Sequence, residues 1–190
     1  MFVRRLPVDV VAMSHINIEI KARCANPQRI RELLLDRKAE FRGVDSQIDT
    51  YFKTPQGRLK LREGRIENSL VYYEREDSVG PKRSDVSLVP LAANSGLKEI
   101  LTGVLGVLVV VKKQREIYFI ENVKFHIDVV EGLGSFVEIE AIDAEGAIGK
   151  DTLLAQCQEF LRLFAIAPED LIAASYSDLL LARATTGDDQ

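Results

Sequence analysis

At 190 residues with a formal net charge of −4, the chain suits a single domain with apolar content enough for a core. Its acidity argues against a general nucleic-acid binder, while leaving room for a local basic site. Its two cysteines, Cys24 and Cys157, show neither CxxC nor Cys/His spacing, which disfavours a disulfide framework or a zinc site and fits a reducing cytoplasm.

Residues 1–13 are set aside as an N-terminal extension. Pro7 and Asp9 break its apolar stretch too early for a signal peptide, and Met13 is a second candidate for the first residue. Ile16-Asn17-Ile18-Glu19-Ile20-Lys21 then alternates without a break, which predicts a strand with the isoleucines on one face and Asn17, Glu19 and Lys21 on the other. Asn26-Pro27 starts a helix to about Lys38, with Ile30, Leu33 and Leu34 on its apolar stripe. Strands are predicted at Gln47 to Phe52 and, after the turn Thr54 to Gly57, at Arg58 to Glu63, where Arg58, Lys60 and Arg62 share a face. Ser69 to Asp77 places Val71, Tyr73 and Arg75 together, and a polar connection leads into a fifth strand at Ser84 to Leu91.

A short helix is predicted from Ser95 to about Leu101. The apolar run Val104 to Val111 is too short to span a membrane and leads into a long strand, Val107 to Phe119, with Lys113 and Arg115 on one face and Lys112 and Gln114 on the other. His126 and Asp128 lie on one side of Lys124 to Val130. The turn Glu131 to Gly134 then makes a hairpin with Ser135 to Ile142, where Phe136, Glu138 and Glu140 share a face. Asp151 to Phe164 is an amphipathic helix, Pro168 to about Ala173 a short one, Tyr176 to Leu181 packs down, and residues 183–190 form a frayed tail. The prediction is one α+β domain over residues 14–182, an antiparallel β structure with helices outside.

Two architectures accommodate about eight such strands. In one, the apolar faces meet inside and the charged faces meet water; in the other, a barrel has a polar interior and helices cover its apolar outside. Carboxylates gather on terminal strands (Glu19, Asp128, Glu138, Glu140) and cations on middle ones (Lys60, Arg62, Arg75, Lys113, Arg115). Were those faces to converge, clustered carboxylates would call for a divalent cation and clustered Lys and Arg for a polyanion such as a triphosphate. Such a site is built for phosphoryl or nucleotidyl transfer.

These residues resemble the CYTH-domain superfamily, the triphosphate tunnel metalloenzymes, which groups class IV adenylate cyclases with thiamine and inorganic triphosphatases. The family's Glu-x-Glu-x-Lys hallmark is matched in part by Asn17-Ile18-Glu19-Ile20-Lys21. Asp49-Thr50-Tyr51-Phe52, Leu61-Arg62-Glu63, Lys113-Gln114-Arg115, the stretch Leu133 to Glu140 and Tyr176-Ser177 extend the match from about Ile16 to Leu181. The resemblance implies an eight-stranded antiparallel barrel with a tunnel for triphosphate. It implies metal ligation (Mg²⁺ or Mn²⁺) by Glu19, Glu138 and Glu140, with Asp128 in support. It further implies a phosphate grip by Lys21, Arg62, Arg75, Lys113 and Arg115, with Lys60 and Arg83 as further members. Glu19, Lys21, Arg62, Lys113 and Arg115 are then the candidate catalytic set.

Plainer readings stand beside these. Glu138 and Glu140 suit solvated strand positions, Lys112 falls on the opposite face from the others, His126 suits a satisfied half-buried histidine, and both cysteines suit packing. Asn17 departs from the hallmark, being neutral and a poorer ligand for hard cations than glutamate. Three functions remain open: hydrolysis of an inorganic or organic triphosphate, whose branch of the family the Glu138-x-Glu140 pair resembles and which is narrowly preferred; cyclisation of ATP, whose branch Lys113-Gln114-Arg115 and Gly132-Leu133-Gly134 resemble; and binding of polyphosphate or nucleotide without turnover. The expected partner is a small-molecule triphosphate, with no nucleic acid or membrane and with a homodimer possible.

Overall fold

Strict alternation of side chains lets a strand satisfy two environments at once, and here it does so around a complete ring. The structure, a computed structural model, describes residues 13–75 and 77–187. Its strands are β1 (Met13–Arg23), β2 (Glu40–Phe52), β3 (Arg58–Glu63), β4 (Ser69–Arg75), β5 (Lys82–Pro90), β6 (Val107–Ile120), β7 (Val123–Val130) and β8 (Gly134–Asp143). They form a closed antiparallel barrel in the order β1-β5-β4-β3-β2-β6-β7-β8. The polar-interior alternative is the one adopted.

The apolar faces point outward. Ile18 and Ile20 of β1, Phe125 and Ile127 of β7, and Val137 and Ile139 of β8 pack beneath α1 (Pro27–Asp36) and α3 (Lys150–Leu163), which contribute Ile30, Leu34, Leu153 and Phe160. Phe125 meets Phe160 edge to face at 4.6 Å. Asn26 caps α1 by accepting from the Arg29 amide at 3.1 Å, with Pro27 in the first turn. Both cysteines are free and buried, the Cys157 thiol donating to the Ile18 carbonyl at 3.1 Å.

The two barrel ends differ. One is plugged by the chain after α3: Leu171 bridges to Ala22, the Ile172 amide donates to the Lys21 carbonyl at 2.8 Å, and α4 (Tyr176–Gly187) starts with Tyr176 inside the barrel against Phe136. The other end, where β1 and β4 start and β3, β5, β6 and β8 finish, is the open mouth.

Several element bounds differ from expectation. β2 begins at Glu40 rather than Gln47, because a bulge between Phe41 and Gly43 breaks the alternation. The helix α2 runs Leu97–Leu105 with Gly96 as its cap, one residue after Ser95, and ends one turn beyond Leu101. Pro168–Asp170 is a single 3₁₀ turn, because Leu171 leaves it to pair with Ala22. Helix α4 continues through Gly187 into the expected tail; residues 188–190, and 1–12 of the expected extension, lie outside the described residues. Among the described residues no helix is long and apolar enough to cross a membrane.

Candidate active site

Antiparallel register sets inward side chains of neighbouring strands face to face, so the charges of the tunnel meet in pairs fixed by backbone pairing. Lys21 lies opposite Glu138, and its Nζ is 2.8 Å from the carboxylate. Arg115 sits across from Asp128, donating to it at 2.8 and 2.5 Å and to Glu138 at 2.6 Å. Asp49 lies across from Arg62; it accepts from Arg62 at 2.9 and 3.0 Å, from Lys60 at 3.1 Å and from Lys113 at 2.7 Å. Arg75 pairs with Glu19, and Lys82 donates to the carbonyls of Ile172 and Ala173 at 3.0 and 2.9 Å. The lumen is a cavity of about 470 Å³.

Burial makes these charges interact strongly. Burial alone would raise the pKa of Asp49, yet Arg62, Lys113 and Lys60 hold it well below the carboxylate range. One carboxylate cannot neutralise three cations. Lys113, fully buried and beside Arg115, Arg62 and Lys60, is pushed down to about 7 despite Asp49. Lys82 is lowered to about 8, chiefly by burial and then by Arg75. Burial opposes ionisation of Glu138, but Lys21 and Arg115 keep it charged. His126 is pushed down by burial and by Arg115, and so stays neutral at pH 7.

One wall of the tunnel suits a hard cation. His126, Glu138 and Glu140 bring ligand atoms within 4.8 Å of one another. Glu140 faces Glu19 across the β1–β8 pair, and among the described residues its only neighbour within salt-bridge range is His126, at 3.6 Å and uncharged at pH 7. Among the described residues, Asn17 Oδ1 of β1 and His126 Nε2 of β7 are buried polar atoms without a hydrogen-bond partner, while His126 Nδ1 faces Glu138 and Glu140. Carboxylate oxygens with one neutral imidazole suit Mg²⁺ or Mn²⁺. Two of the expected metal-ligating carboxylates are already engaged: Arg115 and the Tyr176 hydroxyl, at 2.8 Å, occupy the oxygens of Asp128, and Lys21 and Arg115 those of Glu138, so each would join a metal only by releasing such partners.

Of the residues singled out from the sequence, the barrel brings Glu19, Lys21, Lys60, Arg62, Arg75, Lys113, Arg115, Asp128, Glu138 and Glu140 into or against the lumen. Arg83 is not among them and is a correction: it points outward from β5, exposed, with its guanidinium on Asp85 at 2.7 Å. Its neighbour Lys82 takes the inner position. Lys112 is exposed on the outer face, paired with Glu131. Sequence reasoning assigned no role to Asp49 or Tyr176, although both stand in quoted motifs, nor to Glu67 and Lys124, which pair with each other inside the mouth.

A closed antiparallel barrel with a charged lumen and a helix-covered apolar exterior defines the triphosphate-tunnel class of fold. The chain belongs to the CYTH-domain family, whose profile matches residues 15–176. A Methanocaldococcus jannaschii protein provisionally named an adenylate cyclase is 28% identical over 177 residues, covering 86% of this chain and 98% of that protein. The PH1012 protein of Pyrococcus horikoshii superposes with a TM-score of 0.72 at 25% identity, over 86% of this chain and 98% of that one. The Hippeastrum protein HpAC1, provisionally named an adenylyl cyclase and described as having a dominant triphosphatase activity, shares the fold at TM-score 0.57 and 16% identity, over 90% and 96% of the two chains.

Proposed function

We propose that the protein processes a triphosphate in its barrel with the help of a divalent metal ion, and that the reaction is hydrolysis. The observation that carries this reading is the lumen itself: Lys21, Lys60, Arg62, Arg75, Lys113 and Arg115 face one cavity whose acidic wall includes Glu140, a carboxylate without a charged partner among the described residues. Lys and Arg in a water-poor cavity grip phosphate oxygens and stabilise charge as a P–O bond breaks. Asp49 and Asp128 touch the cations rather than the cavity's acidic wall, and hold them in place. A bound Mg²⁺ or Mn²⁺, held by Glu138, Glu140 and Glu19 with His126 beside them, would neutralise phosphate charge and acidify a bound water.

ATP cyclisation is the second reading, favoured by the name of the M. jannaschii relative. Incubation with Mg²⁺ or Mn²⁺ and ATP, thiamine triphosphate or inorganic triphosphate, with phosphate, pyrophosphate and cyclic AMP all quantified, separates the two. Phosphate release is the expected outcome; cyclic AMP with matching pyrophosphate would establish the cyclase instead. Binding without any turnover would point to Asn17, and Asn17→Glu should then switch activity on.

A further inference from the structure

Glu67 enters the open mouth on a loop that the barrel holds rigid. Both oxygens of the Asp45 carboxylate, itself fully buried, accept from three successive amides of the β3–β4 loop, those of Arg65, Ile66 and Glu67, at 2.6, 3.0 and 3.0 Å. Gly64 presses on the same carboxylate so closely that an added Cβ would lie 2.5 Å from Asp45 Oδ2. Asn68 closes the loop by donating to the Gly64 carbonyl at 2.7 Å.

Held this way, the Glu67 carboxylate lies between strands that are not neighbours. It accepts from Arg62 of β3 at 2.8 Å and from Gln47 of β2 at 3.0 Å, and it pairs with Lys124 of β7. Two strands, β2 and β6, separate β3 from β7 in the barrel, so the carboxylate spans part of the mouth. Burial opposes its ionisation, but Arg62 and Lys124 keep it well below the carboxylate range and hence charged. Beyond it the rim turns apolar, with Leu88, Pro90, Phe119 and Ile142 lining the cavity.

We propose that Glu67 is a specificity-determining residue that makes the tunnel favour triphosphates esterified at the outer phosphate over free inorganic polyphosphate. This rests on the triphosphate reading of the lumen. The far end is filled by Tyr176 and Phe136, so an organic substituent larger than a phosphate stays at the mouth. The phosphate nearest the mouth then lies closest to Glu67. A free terminal phosphate carries close to two negative charges above its second pKa of about 6, an esterified one a single charge. A fixed carboxylate with limited access to water penalises the additional charge. The apolar rim gives the ester group a surface that a phosphate cannot use.

The test is calorimetric binding of methyl triphosphate and inorganic triphosphate at pH 8, with and without Mg²⁺, to the wild-type chain and to Glu67→Gln. Wild type is expected to bind methyl triphosphate about tenfold more tightly, and Glu67→Gln to remove most of that preference by strengthening inorganic triphosphate binding. Equal or tighter wild-type binding of inorganic triphosphate overturns the proposal. So does a Glu67→Gln variant that changes both affinities by the same factor, which is the signature of a loop support. Should Glu67→Gln fail to fold, the wild-type comparison decides, together with Glu67→Asp, which keeps the charge and must keep the preference. If wild type binds neither ligand, it is the triphosphate reading that fails, and this inference with it.

Discussion

Lys113 shares the Asp49 carboxylate with Lys60 and Arg62 at distances of 2.7 to 3.1 Å, and its burial, with Arg115, Arg62 and Lys60 close by, makes it the tunnel's most easily discharged cation. Its pKa is about 7 in the folded chain against an ordinary 10.5. Between those values the unfolded chain binds the proton and the folded chain does not, so folding stability rises with pH through this window. A triphosphate would restore the charge. Binding at pH 8 should therefore take up a proton and weaken as pH rises further, which calorimetry in buffers of different ionisation enthalpy will show. Lys113→Met should abolish most of the uptake. At this scale the sequence was readable wherever parity was followed. Ser84 and Val86 face inward, so Lys82 does too and Arg83 does not. The proximity of Arg83 to the polar connection before β5 carried no information about its face. Asp49 could not be read as the organiser of three cations, because Lys60, Arg62 and Lys113 reach it from two other strands.

Among the elements, the β3–β4 loop depends for its conformation on a close approach at one glycine. Gly64 meets the Asp45 carboxylate and the Glu67 carbonyl, where a Cβ would lie 2.5 and 2.8 Å away. Gly64→Ala should therefore cost about 1–3 kcal/mol, the usual range for forced overpacking, and lower the midpoint of thermal unfolding. Strand and helix types followed from period alone at β1, β3, β6, β8 and α3. The first half of β2 did not, since Phe41 and Gly43 flank a bulge, with Gly43 at φ 126°, and an extra residue shifts every later side chain to the other face. The 3₁₀ turn at Pro168 was equally hidden, because what ends it is a tertiary pairing of Leu171 with Ala22.

For the molecule as a whole, the lumen concentrates charge that water would otherwise solvate. Lys21, Lys82, Lys113 and Arg115 are each no more than 6% exposed. A ligand that binds only the closed barrel adds to its stability in proportion to the logarithm of its concentration. Triphosphate at a hundred times its dissociation constant should stabilise the fold by about 2.7 kcal/mol, read as a rise in the thermal midpoint. Scalar composition would not have revealed this, since the net charge is only −4. Segregation of charge by strand did point to it, while the choice between an inward and an outward charged face rested on the family resemblance.

Closure of the ring also imposes an order in time. The seam between β1 and β8 joins the first and last described strands, with Ile20 opposite Ile139, and it is this seam that sets Glu19 against Glu140 and Lys21 against Glu138. Pairings so distant in sequence form late, after local hairpins such as β3–β4 and β7–β8. During synthesis the middle strands emerge with their lysines and arginines while β8 is still within the ribosome. The nascent protein thus has basic hairpins before the acidic residues of β8 stand opposite them, and the complete charged chamber is born only when the final strand docks.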